Sequence, residues 1–302
     1  MTLPLQPPRI VHHSAAMDGH PAPPNSLELV RASLEHGAEF IELDITALAD
    51  DDYLLVHDSA LDSETTGSGP VAECAAKDVR ELRYKVDGAP TTVHVPVLRE
   101  VVALFAEYPT DTRLQLDFKN VVPFTDDEPL HRLIDIVEPL GERVIVSSPA
   151  DWQLRRLRKL ASWLDVGFDI LAYFDWHNPK REASERYPRN LGAYGYLDDH
   201  PLASRKIWST AEYLADRCAS FIGLVPDANT FYINHRVLSQ SLDEGFNWAD
   251  ALHDAGIICD AWTLDVGDPD AEATAKRLLA AGVDQFTSNT PVALRALVDE
   301  TI

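Results

Sequence analysis

The feature that most constrains the fold is a regular alternation of short apolar runs with longer amphipathic stretches along all 302 residues. Runs of strand length fall at residues 9–13, 39–45, 53–57, 113–119, 143–147, 165–170, 221–226, 257–264 and 283–288. Helical periodicity marks residues 27–36, 97–107, 130–138, 151–164, 210–218, 237–255, 271–281 and 291–300. The first of these helices opens at Asn25, with Glu28 three residues on as a capping box, and stops at Gly37. Strands that alternate with helices build a parallel sheet with crossover connections.

Nine strand candidates are one too many for an eight-stranded barrel, and the surplus can be located. Only residues 46–52 separate the second candidate from the third. A parallel crossover needs about ten to twelve residues, so these two form an antiparallel hairpin. Centring the turn near Asp50–Asp51 pairs residues whose numbers add to 101 and brings His57 level with Asp44. The expectation is a (β/α)8 TIM barrel with a hairpin arm after the second strand, a doubly wound open sheet being the alternative. One domain spans residues 1–302, a length that suits such a barrel. Residues 173–209, rich in aromatics and proline, are too long for an ordinary loop and read as a packed lid.

Charge narrows the partners. Lys and Arg total 26 against 49 Asp and Glu, a net charge of −23. A surface this acidic repels nucleic-acid backbones and anionic headgroups, so neither nucleic acid nor a polybasic membrane anchor is expected. Three dispersed cysteines do not make a disulfide framework or a thiolate zinc site. No signal peptide and no apolar run of membrane-spanning length is visible, so the expected location is cytoplasmic.

Catalytic side chains of a parallel barrel sit at the C-terminal ends of its strands. Those ends carry His12 and His13, Glu42 and Asp44, Asp117 and Lys119, and Trp262 and Asp265, with His57 and Asp58 closing the arm. Residues two apart on a strand share a face, so Glu42 points with Asp44 and Asp117 with Lys119. A single E-x-D in so acidic a chain is most simply a solvated rim pair. Here the acids interrupt apolar strands (FIELDI, LQLDFK), and buried carboxylates need partners. Three converging carboxylates repel one another without a cation, and hard oxygen donors suit Mg2+ or Ca2+. His12 and His57 are the histidines whose placement suits acid–base work on a metal-bound phosphate.

The strings IVHHSA, PPNSLELVRASLEHGAEFIELDI and LLVHDSALDSETTGSG resemble the glycerophosphodiester phosphodiesterase family, whose motifs read H-R-G, P-E-N-T, E-L-D-V and H-D-x-x-L-x-R-T-T-x-G-x-G. VPVLREVVALF, LDFK, AWTLD and GVDQFTSNTP are similar to its later motifs. The resemblance implies hydrolysis of a small phosphodiester with one divalent cation. It makes Glu42, Asp44 and Asp117 metal ligands, His12 and His57 the acid–base pair, and Lys119, His13 and Trp262 substrate contacts. Attack by a glycerol hydroxyl would form a cyclic phosphate, and water would open it to glycerol 3-phosphate. The family's phosphate-gripping Arg is His13 here, the Glu of P-E-N-T is Pro24, and the final T-D is Ser288–Asn289. The D-x-K triplet and late Trp are also similar to sphingomyelinase D-like phospholipases. A phospholipase D-like activity on a lipid headgroup is therefore the alternative, followed by a non-catalytic barrel that binds a phosphorylated ligand.

Overall fold

The computed structural model describes residues 7–180 and 187–301. Its centre is a closed barrel of eight parallel strands: β1 (Arg9–His12), β2 (Phe40–Ala47), β3 (Arg113–Phe118), β4 (Val144–Ser148), β5 (Asp165–Asp169), β6 (Thr230–Asn234), β7 (Ile258–Trp262) and β8 (Gln285–Ser288). Each pairs with its chain neighbours, and β1 closes the ring by pairing with both β8 and β2. The helices are α1 (Leu27–His36), α2 (Leu98–Glu107), α3 (Glu128–Val137), α4 (Asp151–Leu160), α5 (Thr210–Leu224), α6 (His235–Asp243), α7 (Trp248–His253), α8 (Ala271–Ala280) and α9 (Pro291–Asp299).

The alternation of β2 shows how this chain builds a barrel. Ile41, Leu43 and Ile45 join the main core with Leu29, Val30 and Leu34 of α1 and Val101 and Phe105 of α2. Phe40, Glu42 and Asp44 take the opposite face, toward the barrel axis. Phe40 packs there with Val11 and Ile145 as an apolar floor, and the carboxylates stand above it. The helices are held by their buried stripes; the buried apolar side chains Leu214, Cys218 and Phe221 of α5 recur at three- and four-residue spacing.

Three expectations need correction. Residues 221–226 are not a strand: Phe221 lies in the last turn of α5, and the sixth barrel strand is Thr230–Asn234. A continuous apolar run fits a buried helix end as well as a strand. The helix expected over residues 237–255 is two, α6 and α7, parted by Gly245 at φ 85°. The arm pairs Thr46 with Leu54 and Ala47 with Tyr53, so opposite numbers add to 100, and the ladder ends at Leu54. His57 reaches the rim on a loop, not on a strand level with Asp44.

One element was not foreseen. Residues 83–86 and 89–94 form a hairpin turning at Asp87 (φ 50°) and Gly88 (φ 77°), the Asp-Gly signature of a two-residue turn. Tyr84 of this hairpin joins Leu48, Leu54, Val56, Leu61, Val71, Val79 and Val95 in a second small core behind the arm.

Within residues 173–209, residues 181–186 lie outside the described residues. The remainder is ordered around a three-stranded antiparallel sheet of Phe174–Trp176, Tyr196–Asp198 and Asn190–Leu191. Phe174 stacks on Tyr196 at 4.6 Å between ring centres, and Tyr194 stacks on Tyr213 of α5 at 3.9 Å. These contacts seat the segment on the outer helices. Among the described residues no helix is long and apolar enough to cross a membrane.

Candidate active site

Glu42 and Asp44 rise from β2 and Asp117 from its neighbour β3, where Asp44 and Asp117 are register partners. One carboxylate oxygen from each lies within 4.8 Å of the others. Glu42 and Asp44 are both 2% exposed, so neither carboxylate is solvated by bulk water. Lys119, one residue past β3, sets its Nζ 2.8 Å from Asp44 Oδ1 and also donates to Asp117 Oδ2.

Two polar turns finish the cage. The turn after β1 runs through Ser14 and Ala15 at positive φ, 49° and 59°. That bend aims the Ser14 amide at Glu42 Oε2, at 2.7 Å. Asn25, also left-handed at φ 63°, donates from Nδ2 to Asp44 Oδ2 at 2.9 Å and accepts from the Asp44 amide at 3.0 Å. Asn25 is therefore a clamp on Asp44. The cap of α1 is Ser26, whose side chain accepts from the Leu29 amide. The signal for this clamp was the Asn of the P-E-N-T-like string, which the sequence reading spent on a helix cap.

The electrostatics follow from burial. Desolvation, then the adjacent Asp44 charge, pushes the Glu42 carboxyl up to about 8. Burial pushes Asp44 the same way, but Lys119, His13 and His57 outweigh it and hold Asp44 below the usual carboxylate range. Three carboxylates thus gather around one lysine, with His13 at their side.

The two adjacent histidines part company. His13 is half-buried, with Nε2 3.9 Å from Glu42 Oε2 and Nδ1 2.8 Å from Asn289 Oδ1. Burial disfavours its charge, yet Glu42 and Asp44 overcome that and raise its pKa above the ordinary histidine value. His12 lies on the helix side of β1, with Nδ1 2.9 Å from the Ala16 carbonyl and 3.2 Å from Ser33 Oγ. Its ring is 6.3 Å from that of His36, on α1, and burial brings its pKa down to about 4. None of these partners belongs to the carboxylate cluster. The structure thus brings together Glu42, Asp44, Asp117, Lys119 and His13, and it sets His12 behind them.

His57 stands at the rim, with Nδ1 3.1 Å from Asp58 Oδ1. Glu64 accepts from the backbone amides of His57 and Asp58 and pins this loop. Trp262, the last residue of β7, is half-buried, and its Nε1 is buried without a partner.

Comparison with known proteins fits this arrangement. The sequence profile described as the glycerophosphoryl diester phosphodiesterase family matches residues 13–293. A glycerophosphodiester phosphodiesterase of Caldanaerobacter subterraneus is 27% identical over 179 residues, covering 57% of this chain and 72% of that protein. The solved glycerophosphodiester phosphodiesterase of Parabacteroides distasonis superposes with a TM-score of 0.67 at 14% identity, over 97% of each chain. A phosphodiesterase of Oleispira antarctica, solved with its product sn-glycerol-3-phosphate, gives 0.63 at 16% identity, again over 97% of each. The barrel expected from strand spacing and the phosphoric diester hydrolase expected from the motifs both hold. The chain belongs to the glycerophosphoryl diester phosphodiesterase family.

Proposed function

We propose that this protein is a cation-dependent phosphodiesterase that converts a glycerophosphodiester to glycerol 3-phosphate and an alcohol. The observation that carries the reading is the meeting of Glu42, Asp44 and Asp117 beside Lys119 and His13 at the C-terminal end of the barrel. The product bound to the Oleispira antarctica protein supports the same substrate class.

The donor set fits one Mg2+ or Ca2+: all three ligands are hard oxygens, gathered within 4.8 Å of one another. Such an ion supplies charge that holds the phosphate and stabilises its oxygens as the phosphorus is attacked. Ser14 and Asn25 orient Glu42 and Asp44 for that duty. With the carboxylates so engaged, the Lys119 ammonium is left to neutralise a phosphate oxygen.

His13 and His57 are the proposed proton-transfer pair; His12, which the motif resemblance put in the place of His13, turns its ring to Ser33 and His36 of α1 instead. His13 turns its Nε2 toward the carboxylates. His57 turns Nδ1 to the Asp58 carboxylate and leaves Nε2 for substrate. A glycerol hydroxyl loses its proton to one ring as its oxygen bonds to phosphorus. The other ring protonates the departing alcohol as its P–O bond breaks. Water then opens the cyclic phosphate by the reverse proton traffic. Trp262 Nε1 is a free donor in the pocket wall. Loss of at least about 10²-fold in turnover is expected in His13→Ala but not in His12→Ala; the reverse would return the role to His12.

A lipid-headgroup substrate is the competing reading, favoured by the exposed Leu191, Leu202, Ile207 and Trp208 on the inserted segment. Phosphorus NMR of products from glycerophosphocholine and lysophosphatidylcholine separates the two. Glycerol 3-phosphate from the first, with little turnover of the second, is the expected outcome. Preferred turnover of the lysolipid would overturn it.

A further inference from the structure

We propose that Asn289, anchored by Asp265, is a positioning residue that fixes the His13 ring so that Nε2 is the atom presented to the substrate phosphate. The proposal rests on the phosphodiesterase reading for what that atom meets, and on geometry alone for which atom it is.

Asp265 follows β7 and Asn289 follows β8, so two adjacent strand ends supply the pair. Asn289 is gripped twice: its amide donates to Asp265 Oδ1 at 2.7 Å, and its Nδ2 donates to Asp265 Oδ2 at 2.9 Å. Ser288 Oγ adds a third bond to Asp265 Oδ1, at 3.0 Å. A carboxylate only accepts, so the side-chain orientation of Asn289 is decided: Nδ2 faces Asp265 and Oδ1 faces away. Oδ1 lies 2.8 Å from His13 Nδ1. An amide oxygen also only accepts, so Nδ1 carries a proton in either charge state of the ring. Nε2 is then the atom turned to the carboxylate cluster, 3.9 Å from Glu42 Oε2. Asp265, Asn289 and His13 form a chain of hydrogen bonds that ends at the proposed phosphate position.

The chain answers a question the sequence raised. An Arg brings a planar fork that can hold phosphate in two bonds, whereas His offers one nitrogen per face. One nitrogen works only if the ring is prevented from turning. The altered final pair, Ser288–Asn289, provides both the stop and its anchor. Both departures from the family strings thus meet at one hydrogen bond.

The first test is nitrogen-15 NMR of the imidazoles in the full chain, without substrate, at a pH where His13 is neutral. The expected result is a proton on Nδ1 in the wild type and a mixture of tautomers in Asn289→Ala. An Nε2-protonated wild-type ring, or no change in the variant, overturns the proposal. The second test is kinetic, with glycerophosphocholine and Mg2+. Asn289→Ala should lower kcat about tenfold and leave KM within about twofold, as expected when a contact made in the transition state is lost. In a His13→Ala background it should do nothing further. Equal losses in both backgrounds would mean a structural role and overturn the proposal. Should the wild type hydrolyse no glycerophosphodiester, the functional reading fails, and the tautomer result still decides the positioning.

Discussion

Glu42 is the residue on which the account turns. Its carboxyl is pushed up to about 8 without a cation, against an ordinary value of 4.5. The folded state therefore holds a proton that the unfolded chain releases between those values, and stability falls as pH rises through that window. Added Mg2+ or Ca2+ should remove the fall and raise Tm at pH 8. In Glu42→Gln the cation-dependent rise in Tm should shrink sharply, which thermal scans with metal and with chelator would show. His12 has the opposite sign. Its pKa of about 4 lies below the ordinary 6.5, so folding excludes a proton that the unfolded chain binds. Stability present above pH 6.5 should drain away as pH falls toward 4, by at most about 3 kcal/mol. His12→Asn should flatten that acid limb in urea titrations at stepped pH. A limb of unchanged slope would mean that other groups dominate it.

Individual elements show where close packing sets the limits. Gly167, in β5, faces Tyr232 of β6 so closely that a Cβ there would lie 2.4 Å from the ring. Gly167→Ala should cost about 2 kcal/mol or more in urea unfolding, by forcing that buried tyrosine aside. Gly88, at φ 77° in the turn of the second hairpin, should cost about 1 kcal/mol as alanine, for a backbone reason only. The sequence carried seven of the eight barrel strands because strand periodicity and connection length are local signals. The 221–226 segment misled because Phe221 and its apolar neighbours close a helix whose register is set by Tyr213, Leu214 and Cys218, further back in the chain. The hairpin at Asp87–Gly88 was legible in its turn dipeptide and was passed over. At the site, strand parity brought Glu42 to Asp44 and Asp117 to Lys119. It could not show that the turn after His12, with Ser14 and Ala15 at positive φ, would give His13 the inward place. The Asn289–His13 contact spans 276 positions and leaves no local trace.

For the molecule as a whole, the excess of 49 acids over 26 basic residues gains a division of labour. Three acids gather beside one lysine, and on the proposed reading a small cation completes the charge balance. The rest form a field that disfavours polyanions while a cation-held phosphodiester remains acceptable. The barrel makes this arrangement cheap to position, because β2 and β3 are adjacent and their registered ends deliver Asp44 and Asp117 side by side. The small core behind the arm holds the chain from which His57 reaches over the same mouth. The most direct test of the central claim is release of glycerol 3-phosphate from glycerophosphocholine, measured in chelator and then on titration with Mg2+ and with Ca2+. The account predicts no more than background release in chelator and saturable recovery with one of the ions, absent in Glu42→Gln. Full turnover in chelator, or equal recovery in Glu42→Gln, would contradict it.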